Sequence, residues 1–201
     1  MITIIDYGMG NLRSVQKAIE SVGSSAEVTS DPDRIRRASK VILPGVGAFA
    51  DAMEELRRTG LGEAFREAVG AGKPCLGVCL GLQLLFDTSH EDGDYAGLGL
   101  IPGKVVRFAP HPGLKIPHMG WNTLRIRRPC PLFAGLDDSP SVYFVHSYHA
   151  RTDDESVVAA ESDYPDPFPA AVWRENLMAC QFHPEKSQQV GLAMYANFLA
   201  L

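Results

Sequence analysis

A chain of 201 residues, 45% hydrophobic and 21% charged, has the make-up of an ordinary globular domain. A net charge of −5 without any basic block leaves no electrostatic footprint for nucleic acid or an anionic membrane. No apolar run reaches transmembrane length, the first residues read as a short strand rather than an export signal, and cysteines at 75, 79, 130 and 180 are too few and too uneven for a disulfide framework, so the expected location is the cytoplasm.

Residues 2–5 read as a strand. Leu12, Val15, Ile19 and Val22 then fall at helical spacing, which predicts a helix from about Asn11. Strands near 26–28, 40–43 and 74–78 alternate with helices near 48–58 and 61–70, the pattern of a parallel sheet covered on both faces. The apolar run Leu80 to Phe86 reads as a buried helix, and His90 to Gly97, rich in Asp, Glu and Gly, as a solvated loop. Beyond residue 97 strand signals dominate, at 104–108, 121–125, 142–145, 157–160, 171–173 and 177–180, and some of these should form an antiparallel extension. An apolar helix from Gly191 to Leu201 closes the chain. No repeat or linker interrupts it. The expectation is one α/β domain over residues 1–201: a mostly parallel central sheet flanked by helices, with a ligand site at the strand C-termini.

Three segments carry chemistry. Gly77-Val78-Cys79-Leu80-Gly81 places a cysteine between glycines where a strand turns into a helix. A nucleophile elbow has this form, because its strained turn brings strand and helix too close for side chains on either side. The sulfur then sits at a helix N-terminus, which favours a thiolate, with the Leu80 N–H aimed at an adjacent oxyanion. His183-Pro184-Glu185 is the second segment. Proline keeps His183 extended, and residues two apart then point the same way, so Glu185 can hold one imidazole nitrogen and leave the other as a base. The order His-x-Glu is not that of an α/β-hydrolase. In the third, the strand Lys40–Leu43 runs into Pro44-Gly45-Val46-Gly47, a backbone able to turn N–H groups into a site. Gln83 lies one helical turn beyond the elbow, on the face bordering the nucleophile.

As a set these motifs resemble the class I, triad-type glutamine amidotransferases. Asp6-Tyr7-Gly8-Met9-Gly10-Asn11, Pro117-His118-Met119-Gly120-Trp121-Asn122, Tyr143-Phe144-Val145-His146-Ser147-Tyr148 and Phe182-His183-Pro184-Glu185-Lys186-Ser187 resemble, more narrowly, the glutaminase subunits of imidazole glycerol phosphate synthases, over nearly the whole chain. The resemblance implies a Cys79–His183–Glu185 triad that hydrolyses glutamine to glutamate and ammonia without a cofactor or metal. It also implies an oxyanion hole of Leu80 with Val46 and Gly47, and glutamine-binding groups at Gly47, Gln83, Ser147 and Tyr148. The implied partner is a (β/α)₈ cyclase subunit forming a heterodimer, with Asn11, Met119, Trp121, Asn122, Tyr143 and Lys186 as candidate interface residues.

Other patterns do not hold. Gly8-Met9-Gly10 is followed by Arg13 where a dinucleotide fingerprint needs a small residue, and Gly70-Ala71-Gly72-Lys73 lacks the spacing of a P-loop. Cys75 and Cys79, on strand and elbow, are poor zinc partners. His146 and His149 lack a carboxylate as well placed as Glu185. Three further readings stand beside the main one: the ammonia-supplying subunit of another synthase (anthranilate or pyridoxal phosphate), a non-catalytic scaffold, and a stand-alone cysteine hydrolase.

Overall fold

Short runs of β-branched and apolar residues make the centre of the sheet because both of its faces are covered. The computed structural model describes residues Met1–Leu201. Strand β1 (Ile2–Ile5) is followed by α1 (Leu12–Ser21), β2 (Ala26–Thr29), α2 (Pro32–Arg37), β3 (Lys40–Gly45), α3 (Phe49–Thr59), α4 (Leu61–Gly70), β4 (Cys75–Cys79) and α5 (Leu80–Gln83). Then come β5 (Phe86–Ser89), β6 (Tyr95–Ala96), β7 (Ile101–Arg107), β8 (His118–Thr123), β9 (Arg125–Ile126), β10 (Ser141–His146), β11 (Tyr148–Arg151), β12 (Val158–Asp163), β13 (Pro167–Arg174), β14 (Leu177–Cys180) and α6 (Gln188–Ala200).

The main sheet has eight strands in the order β2-β1-β3-β4-β14-β13-β12-β9. Its first five are mutually parallel and β13, β12 and β9 extend it antiparallel, as expected. Alternation along the strands splits the apolar side chains into two cores. Ile42, Leu76 and Met178 pack with Val15 and Ile19 of α1 and Met194 and Phe198 of α6. Val41, Leu43 and Cys75 pack with Phe49, Leu56 and Phe65 of α3 and α4 on the other face. A four-stranded sheet, β11-β7-β5-β6, and a two-stranded ribbon, β10-β8, stand beside this layer. No helix is long and apolar enough to cross a membrane.

The structure corrects several expected elements. Helix α2 has clear start signals, the Asp31 side chain accepting from the Asp33 N–H with Pro32 in the first turn, but it is short enough to escape a periodicity test. The run from Leu80 to Phe86 makes only one helical turn. The carbonyls of Leu84, Leu85 and Phe86 are taken by N–H groups of residues 98–101, so the chain leaves the helix and Phe86 opens a strand. An apolar run fits either buried helix or buried strand, and here a distant segment decides. The stretch 90–97 is not wholly solvated: Tyr95 and Ala96 pair with β5, and the Glu91 carboxylate accepts from the Phe49 N–H at 2.9 Å. The expected strand 121–125 is two strands in two sheets, and the last helix begins at Gln188 rather than Gly191.

Candidate active site

Strand β4 delivers Cys79 at φ 56°, ψ −112°, a backbone region that an L side chain occupies only under strain. The flanking glycines are sterically required. A Cβ on Gly77 would lie 2.8 Å from the Gly81 carbonyl oxygen, and one on Gly81 would overlap the Leu43 carbonyl oxygen. With only four residues, α5 supplies little macrodipole, so what it offers the sulfur is local: its unpaired first-turn N–H groups, beginning with Leu80.

His183 follows β14, the neighbour of β4 on one side. Its Nδ1 lies 2.7 Å from Glu185 Oε1, and both side chains are only 2% exposed. Burial opposes an imidazolium there, but the Cys79 sulfur and the Glu185 carboxylate outweigh it and push His183 up to about 10. Its Nε2 is buried, free of other partners and directed at Cys79. The second oxygen of Glu185 is buried beside the Tyr195 hydroxyl.

Strand β3 flanks β4 on the other side, and Gly45 is the register partner of Cys79. The chain beyond it turns at Gly47, φ +96°, a backbone region that favours glycine. Buried Tyr7 donates its hydroxyl to the Pro44 carbonyl at 2.9 Å and holds the base of this loop.

These elements open on a cavity of about 310 Å³ lined by Val46, Gly47, Cys79, Leu80, Gln83, Ser147, Tyr148 and His183, all expected from the sequence, with Glu185 behind His183. Glu91, Val145, His146 and Lys186 also line it. Glu91 was hidden in an acidic, Gly-rich stretch that reads as solvent-facing, and burial raises its pKa above the usual carboxylate value. Gln181, fully buried, was hidden too; its Nε2 lies 3.9 Å from the Cys79 sulfur. The signal that could have found it is a polar residue inside an otherwise apolar stretch directly ahead of His183. A larger hollow of about 540 Å³ among Asp87, Lys104, Arg151 and Glu161 holds no nucleophile and base together.

His146 and His149 are not alternative bases. His146 Nδ1 donates to the Tyr148 carbonyl at 2.8 Å, and its Nε2 accepts a hydrogen bond from His118 Nδ1–H at 3.0 Å. Burial pushes His118 down to about 4 and His146 to about 3, so both stay neutral. His149 stacks on Phe108 at 4.5 Å.

Among the candidate interface residues, Met119 (61% exposed) and Trp121 (49%) project from one face of β8, with Tyr143 edge-on to Trp121 at 6.0 Å. The Lys186 ammonium stands 5.9 Å above the Tyr143 ring. Asn122 does not join this face. Its amide is spent on His118 and on the Asp163 carbonyl. Asn11 is exposed at the start of α1, its amide oxygen accepting from Ser14 at 2.8 Å.

The four thiols differ in a way that can be measured. Cys75, Cys130 and Cys180 are buried in the cores, and burial pushes them up to about 12, to about 11, and well above the usual thiol value respectively. Cys79 opens on the cavity beside an imidazole. Iodoacetamide at neutral pH should label Cys79 at least about tenfold faster than the others. Peptide mass mapping checks this, and equal labelling of all four would contradict it.

The family model for class-I glutamine amidotransferases matches residues 3–201. Imidazole glycerol phosphate synthase subunit HisH of Syntrophotalea carbinolica is 59% identical, covering 98% of each chain. The protein of the same name from Geobacter sulfurreducens is 53% identical over 98% of this chain and 97% of its own. Among solved structures, PurLQS from Thermotoga maritima superposes with a TM-score of 0.78 at 18% identity, over 99% of this chain and 97% of that one, which speaks to the fold alone. An elbow cysteine, a His–Glu pair just beyond the adjacent strand and matches of this length have one reading: the chain belongs to the class-I glutamine amidotransferase family, on the branch of the HisH subunits of imidazole glycerol phosphate synthase.

Proposed function

We propose that this chain hydrolyses glutamine and hands the ammonia to a cyclase subunit, the pair making imidazole glycerol phosphate and aminoimidazole carboxamide ribonucleotide in histidine biosynthesis. One observation carries the catalytic part: Cys79 ends β4, His183 follows just beyond the adjacent strand β14 with Glu185 behind it, and the sulfur and the imidazole meet at one cavity. The Cys79 sulfur bonds to the side-chain carbonyl carbon of glutamine. As the C–N bond breaks, His183 gives its Nε2 proton to the departing nitrogen, and ammonia leaves a glutamyl thioester. Water then loses a proton to His183, attacks the thioester, and releases glutamate with the sulfur restored. Glu185 holds the imidazole tautomer through both halves. The Leu80 N–H and a peptide N–H of Val46 or Gly47 hold the tetrahedral oxyanion. Gly47, Gln83, Ser147 and Tyr148 hold the amino-acid end of the substrate, and the Glu91 carboxylate in the cavity wall suits its ammonium group.

Ammonia released into water would protonate, so the site makes sense only beside an acceptor. We assign the docking face to Met119, Trp121, Tyr143 and Lys186, flanked by Asn11, and the partner to a (β/α)₈ cyclase forming a heterodimer. Four free cysteines fit a reducing cytoplasm. Contact at Tyr143 can reach the base, since its carbonyl accepts from the His183 N–H at 2.9 Å and its own N–H donates to Ser187 Oγ at 3.0 Å. The deciding experiment mixes the chain with the cyclase, its nucleotide substrate and glutamine, and follows imidazole glycerol phosphate. The lone chain should be a poor glutaminase, stimulated by the cyclase and again by its ligand. Lys186→Ala should lower that stimulation at least about fivefold while leaving Cys79 open to alkylation. A lone chain already at full rate would favour a stand-alone glutaminase.

A further inference from the structure

We propose that Gln181 is a positioning residue for the reaction: one amide that fixes which end of Gln83 meets the substrate and donates an N–H to the Cys79 sulfur. The inference rests on Cys79 being the nucleophile and deepens that reading.

Hydrogen-bond logic fixes the orientation of both amides. A peptide carbonyl can only accept, so the Gln83 atom 3.0 Å from the Tyr148 carbonyl must be Nε2, the donor. The same nitrogen lies 3.0 Å from Gln181, which must therefore present Oε1. That leaves Gln181 Nε2 as the group 3.9 Å from Cys79 Sγ. Turning either amide over would oppose two donors or two acceptors. His146 grips the same Tyr148 carbonyl from its other side, so the anchor of the chain is itself held. Two consequences follow. With both N–H groups of Gln83 spent, its Oε1 is the atom left to face the cavity, so Gln83 can only accept from the substrate. The sulfur receives a donor from a side chain that is 0% exposed, where water cannot substitute for it.

Gln181→Met removes both functions at similar length, and Gln181→Glu keeps an acceptor for Gln83 while putting a carboxyl group in place of the neutral amide donor beside the sulfur. Each is assayed in complex with the cyclase, with a thermal midpoint to confirm folding. The other titratable groups around the sulfur, His183 directed at it and Glu91, His146 and Lys186 in the same cavity, are the same in both. Gln181→Met should raise KM for glutamine about tenfold and slow Cys79 alkylation at pH 7 about tenfold. Gln181→Glu should recover most of KM without recovering the alkylation rate, a split that a purely structural role would not produce. Wild-type values of both quantities in folded Gln181→Met would overturn the proposal. Neutron diffraction on the unaltered protein tests it without a variant: deuterium belongs on the Gln181 atom facing Sγ, and an oxygen there overturns the assignment. A wild-type complex unable to turn over glutamine would instead sink the parent reading, whatever the Gln181 variants do.

Discussion

Cys79→Ala should lose glutamine-dependent synthesis by at least about a thousandfold while the complex keeps its activity with added ammonium salt. No other thiol can stand in. Cys75, Cys130 and Cys180 are enclosed in the cores, and none lines the cavity that His183 faces. Removing a nucleophile removes the covalent route itself, so the loss should appear in kcat rather than in KM. The ammonium-dependent reaction belongs to the partner's site and serves as the internal control for folding and docking. Glutamate release is read by coupled assay, and turnover surviving in the variant would end the triad assignment.

Gly81→Ala should be nearly as damaging by an unrelated route. The added methyl would meet the Leu43 carbonyl, a backbone atom in the middle of β3 that cannot turn aside without disturbing the pairing of β3 with β4. Overpacking in a well-filled interior costs about 1–3 kcal/mol and sometimes more, and rigid strand backbone belongs at the upper end. Relief would come from moving Leu80 and the elbow away from β3, which also pulls apart the two edges of the oxyanion site. The expected outcome is a thermal midpoint lower by at least several degrees together with activity down at least about a hundredfold. Calorimetry alongside glutamate release checks it. A variant with unchanged stability and rate would mean that the close approach at Gly81 is not a requirement of the elbow.

The parallel half of the sheet was legible in the sequence because its strands and helices differ in period and are punctuated by Gly and Pro. The proposed triad was legible for a different reason: each of its pieces is local. Gly77-Val78-Cys79-Leu80-Gly81 declares a turn that only glycines allow, and His183-Pro184-Glu185 declares a local pair, though a 3-10 turn over Pro184–Lys186 rather than extended backbone brings Glu185 to the imidazole. What stayed hidden depends on contacts distant in sequence. Leu84 to Phe86 look helical until residues 98–101 take their carbonyls. Glu91 looks like a solvated acid until Phe49 claims it, and Asn122 looks like an interface residue until His118 and Asp163 do. Gln181 carries no local mark of its partners at all. A one-dimensional pattern records periodicity and turn chemistry, whereas the partner of a polar side chain is set by tertiary packing.

The three parts of the site ride on β3, β4 and β14, which are adjacent in the sheet but far from adjacent in the chain. The first two are complete before residue 80, whereas His183 follows after about half the chain length more. A nascent chain therefore displays its nucleophile long before it owns a base, and the base arrives only when β14 inserts between β4 and β13. Pairing of such sequence separation is slow to form because loop closure precedes its reward. On the proposed assignment, reactivity is thus tied to the completion of folding, because only the closed sheet brings His183 to the Cys79 sulfur.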